Sequence, residues 1–80
     1  MDITKLEITS RSGIIKPTHV YSAHKNDWIE LFEPSNWSEN KFEDDSIKNI
    51  VIINSKLAFI QFDSDLTNKG FLYKGFFECN

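Results

Sequence analysis

Apolar and polar positions alternate from Lys5 to Thr9, with Leu6 and Ile8 set against Lys5, Glu7 and Thr9. That two-residue period is the pattern of a half-buried strand. Ser10–Gly13 is a turn cluster, and Ile14–Ser22 (IIKPTHVYS) returns to strand-forming residues, with Pro17 marking an edge position or a bulge. The two runs predict a first hairpin. The period then changes. On a helical wheel, Trp28, Ile29, Leu31 and Phe32 fall within an arc of about 160°, while Asp27, Glu30 and Glu33 gather on the opposite side. This spacing predicts a two-turn helix over 27–33, capped by Asn26 and stopped by Pro34, with Trp28 and Phe32 in the core.

Residues 34–46 (PSNWSENKFEDDS) carry neither period and read as a long polar loop. Beyond it the β-branched run 49–54 (NIVIIN), a turn at Asn54-Ser55, the run 56–63 (KLAFIQFD), a second turn ending at Gly70 and the run 71–79 (FLYKGFFEC) predict three more strands. The middle run is apolar on both faces, which places it centrally with cover on both sides. The expected fold class is α+β: one domain spanning 1–80, about five antiparallel strands and one short helix, either as a sheet or as a small, partly open barrel.

Composition narrows the class. At 40% hydrophobic, with seven Phe, two Trp and two Tyr, the chain has enough apolar mass to fold. The net charge of −3 gives no basic excess for nucleic acid. The one cysteine, Cys79, cannot close an internal disulfide. No apolar run approaches a membrane span and the first residues lack a signal-peptide pattern, so a cytoplasmic setting is expected. Lys outnumbers Arg eight to one, the bias of an A/T-rich bacterial or phage genome.

Catalytic and metal chemistry find little support. His19 and His24 have no third ligand at a useful spacing, and 63–70 (DSDLTNKG) has Asn68 where a calcium loop needs glycine. No phosphate-cradling glycine loop occurs. Glu30 with Glu33, or Asp44 with Asp45, could supply paired carboxylates, and general acid–base work needs a pocket around them. The sequence predicts no enzyme, no metal and no cofactor.

Charge is segregated instead. From Asp27 to Asp45 there are seven carboxylates and one lysine, a formal −6, against +3 for the remainder. Trp37 and Phe42 lie in that polar stretch. They either fold back to cap the core or stand out as interface anchors inside a charged rim. The second reading makes the chain a small acidic protein-binding module, a stoichiometric inhibitor or modulator of a larger, basic partner, with Glu30, Glu33, Trp37, Glu39, Phe42, Glu43, Asp44 and Asp45 at the interface. The alternatives are a module binding single-stranded nucleic acid through Tyr73, Lys74 and neighbouring aromatics, or a structural subunit of a homo-oligomer. Short, acidic and without a catalytic motif, the chain is similar in kind to bacterial immunity proteins, antitoxins and phage-encoded inhibitors of host defence, a likeness of profile that assigns no residue.

Overall fold

A computed structural model describes residues 5–33, 37, 42–64 and 70–79, with Asp44 described in its backbone alone. Its elements run in the order α1 (Lys5–Ser10), β1 (Gly13–Ser22), β2 (Asp27–Glu30), a 3-10 turn (Asp44–Ser46), β3 (Ile47–Asn54), β4 (Leu57–Ser64) and β5 (Phe71–Cys79). The strands form one antiparallel sheet in the order β2-β1-β5-β4-β3. Its two edges do not meet, so the sheet is open and the barrel alternative is set aside.

The expected tally of five strands and one helix is right, but two elements have exchanged places. Residues 5–10 are a helix. Both flanks of β1 are occupied, by β2 and Trp37 on one side and by β5 on the other, so the segment has no place beside β1 as a hairpin partner. It folds over the sheet, buries Ile8 completely and leaves Leu6 73% exposed. Thr9 and Ser10 donate their hydroxyls to the Leu6 and Glu7 carbonyls, and Arg11 pairs with Glu7 one turn away.

Residues 27–30 are an edge strand, which overturns the helix expected over 27–33. The competing force is the free edge of β1: Ser22–His19 pair with Asp27–Glu30 across a four-residue turn. Asn26 closes that turn in the left-handed region (φ 52°), and its side-chain oxygen accepts the Tyr21 hydroxyl at 2.6 Å. A ladder in register outweighs two turns of isolated helix.

The remaining strands match the sequence pattern closely. The β3–β4 turn falls one residue later than predicted, at Ser55-Lys56, and Asn54 serves it through its side chain, accepting the Lys56 N–H. Pro17 marks a bulge within β1, an interior strand, and not an edge; the register shifts there and the Thr18 hydroxyl donates to the Lys74 carbonyl at 3.2 Å. The central strand is β5. The strand expected to be covered on both sides, β4, buries only its Ala58, Ile60, Phe62 and Ser64 face.

That face is the core. Ile15, Ala58, Ile60, Phe62, Tyr73 and Phe77 line it, Ile8 and Ile47 close it, and Trp37 and Phe42 pack against it. No helix among the described residues is long and apolar enough to cross a membrane.

Candidate functional site

The described residues of the acidic stretch begin on the sheet edge, and Trp37 and Phe42 pack against the core. After β2, the Leu31 N–H donates to the Thr18 carbonyl, and Trp37 next exchanges two backbone bonds with Ile15. The chain thus spends six residues while β1 advances three, so Phe32 and Glu33 lie in an excursion from the edge. Phe32 is 98% exposed, and Glu30 and Glu33 are exposed on either side of it. The sequence reading that placed Phe32 in the core followed from the helical wheel and falls with the helix. Trp28 is half-buried on the far face of the sheet, edge-on to Tyr21 and beneath the Lys74 ammonium, which stands 4.6 Å from its ring centre.

Trp37 and Phe42 turn inward. The Trp37 ring meets Phe62 and Tyr73 edge-on at 6.0 and 5.4 Å, and Phe42 meets Phe62 and Phe77 at 4.9 and 6.2 Å. They cap the core, the first of the two readings offered by the sequence, and are not free-standing anchors. The signal for this was weak: an aromatic in a polar stretch looks the same whether it faces in or out.

The carboxylates do not form one patch. Glu30 and Glu33 lie at the β2 edge. Glu43 and Asp45, both exposed, lie just before and within the 3-10 turn, which rests on α1 and β4 and leads into β3 at the opposite edge. Asp44 lies in that turn, and Glu39 is outside the described residues. The acidic run is therefore divided between the two sides of the sheet.

The second face of the sheet is the one that the sequence reading, finding the 56–63 run apolar on both sides, expected to be covered. Alternation and register put four rows on it: Ile14, Glu78 and Leu57; Lys16, Phe76, Phe59 and Val51; His19, Lys74, Gln61 and Asn49; and Leu72 with Asp63. Phe59 and Phe76 meet edge-on at 5.4 Å. Lys16 pairs with Glu78 at 2.9 Å and Lys48 with Asp63 at 3.3 Å. No described element lies over this face, because α1, Trp37 and Phe42 all sit on the other.

Tyr73 belongs to the core face and is only 8% exposed. Thr18 Oγ1 and His19 Nδ1 share a hydrogen bond at 2.8 Å, and His24 is exposed in the β1–β2 turn. Among the described residues no three His, Cys, Asp or Glu side chains converge on a metal-sized site. No protein-family model, no curated protein and no solved structure matches the chain, so its role must be argued from these surfaces.

Proposed function

We propose that this chain is a small binding protein that associates stoichiometrically with a larger, basic protein and modulates it by covering its surface, in the manner of an immunity protein, an antitoxin or an anti-defence inhibitor. The observation that carries the reading is Phe32, almost wholly exposed between exposed Glu30 and Glu33 at the end of the β2 edge. An aromatic side chain offers area to desolvate, and carboxylates around it steer and orient a basic partner. Phe32 takes the anchoring role that the sequence suggested for Trp37 and Phe42, while Glu43 and Asp45 form a second, separate acidic group.

The single-strand reading is less well supported. Tyr73 has no free ring face for a base, Lys74 is held over Trp28, and Lys16 and Lys48 are held by carboxylates. A surface with its lysines so committed has little to offer a phosphate backbone.

The test is affinity capture from nuclease-treated host lysate with the tagged native chain and with a Phe32→Ala/Glu30→Lys/Glu33→Lys variant, at low and moderate salt. One protein, captured stoichiometrically by the native chain, weakened by salt and lost by the variant, supports the reading. A protein retained equally by both chains removes the Phe32 patch from it. Recovery of nucleic acid before nuclease treatment, with no protein partner after it, overturns it.

A further inference from the structure

We infer that the face of the sheet over which no described element lies is a self-association surface, on which a second copy of this chain packs sheet against sheet. An antiparallel sheet with one solvated face normally alternates apolar-in with polar-out. Here the alternation fails: the face opposite the core carries Ile14, Val51, Leu57, Phe59, Leu72 and Phe76, and Val51 is 57% exposed. The core side holds eight buried apolar side chains among the described residues, and covering the second face would add substantially to what holds the chain together.

Charge decides the occupant. The face carries Lys16, Lys48 and Lys74 against Glu78, Asp63 and Glu30, and is balanced although the chain as a whole is at −3. A strongly basic or acidic partner finds no complement there; a second copy brings the same balance. Turning a copy about a two-fold axis that runs along the strands between β5 and β4 makes the match explicit. The register then sets Phe76 over the second copy's Phe59, Lys16 over its Val51, Lys74 over its Gln61, Glu78 over its Leu57 and Asp63 over its Leu72. The apolar row meets itself and no like charges face each other. Aligned packing of this kind is one of the two standard arrangements of stacked sheets.

The area is adequate. Four strands about 4.8 Å apart and eight residues long at about 3.3 Å each present roughly 500 Å² in projection. With side-chain relief that approaches the ~800 Å² per partner of a standard specific interface.

The experiment is sedimentation velocity on the untagged native chain across a concentration series, beside Phe59→Lys, Phe76→Lys and the double variant, with far-ultraviolet circular dichroism to establish that each is folded. The native chain should move from its 9.3 kDa monomer mass to twice that value as concentration rises. The double variant should weaken the dimer by at least ~100-fold while keeping the native spectrum. Should the phenylalanine variants unfold, Val51→Lys, on the exposed end of the same row, is expected to weaken it ~10-fold. A chain that stays monomeric up to ~1 mM overturns the inference, as does a dimer that the folded variants leave untouched. Binding of a fluorescein-labelled oligothymidylate by a monomeric chain, lost in the same variants, also overturns it and reassigns the face to single-stranded nucleic acid.

Discussion

Gly75 lies opposite Pro17 in the pairing of β5 with β1, and the two backbones approach so closely that no side chain fits between them. A Cβ at Gly75 would sit 2.6 Å from the Pro17 Cα and would overlap the Lys16 carbonyl oxygen. Both obstacles are backbone, so no rotamer change relieves them. The contact lies at the β1 bulge, where Pro17, itself fully buried, contributes no N–H to the ladder. The tight approach of β1 and β5 at the bulge is thus a property of this glycine–proline pair.

Gly75→Ala should therefore destabilise the chain by about 3 kcal/mol, the cost of forcing an atom into a packed interior. Urea denaturation followed by circular dichroism measures it. A loss no larger than that of an exposed substitution would mean that β1 and β5 are not in contact at this point.

Trp37 and Phe32 should respond in opposite ways to truncation. Trp37 packs on Phe62 and Tyr73, and its half-buried ring leaves a gap when removed, so Trp37→Ala should cost about 2–3 kcal/mol. Phe32→Ala removes a side chain that touches almost nothing and should leave the midpoint where it was. The order of the two midpoints in urea is the readout, and a reversed order would restore the helix expected over 27–33.

The contrast shows where the sequence could be read and where it could not. The runs ending in Asn54, Ser64 and Cys79 were legible because each is β-branched or aromatic and bounded by turn residues. Segment 5–10 was not. Over a single helical turn, the two apolar residues Leu6 and Ile8 fit a strand period as well as any other, and what decided the outcome was the absence of a free place beside β1. Segment 27–33 fitted a helix on its own terms and lost to a pairing 9 to 11 residues away along the chain, between His19–Val20 and Ile29–Glu30. Which way Phe32 and Trp37 face followed from that choice. The apolar second face was legible on the 56–63 run alone, but its rows come from register between distant strands, which the sequence does not display.

Ile8 and Leu6 offer an independent check on the first element. In a strand they would share a face and matter alike. In the helix only Ile8 is buried, so Ile8→Ala should cost about 3 kcal/mol while Leu6→Ala leaves stability nearly unchanged. Equal losses in thermal or urea melts would contradict the helix.

The two surfaces assigned here should behave independently. Phe32, Glu30 and Glu33 lie at the β2 edge, whereas Phe59 and Phe76 lie on strands β4 and β5, with β1 between them and β2. Substitutions separated in this way and sharing no partner usually add without coupling. A Phe32→Ala/Glu33→Lys chain, which leaves the charge balance of the second face untouched, should therefore dimerise like the native one, and Phe59→Lys/Phe76→Lys should still capture the partner, as a monomer and with any avidity from pairing removed. Glu30 is the one residue that touches both accounts, because it faces His19 at the margin of the uncovered face. Comparing Glu30→Lys with Glu33→Lys by sedimentation isolates it: a weaker dimer with the first alone would extend the self-association surface to β2. A dimer abolished equally by both would merge the two surfaces into one.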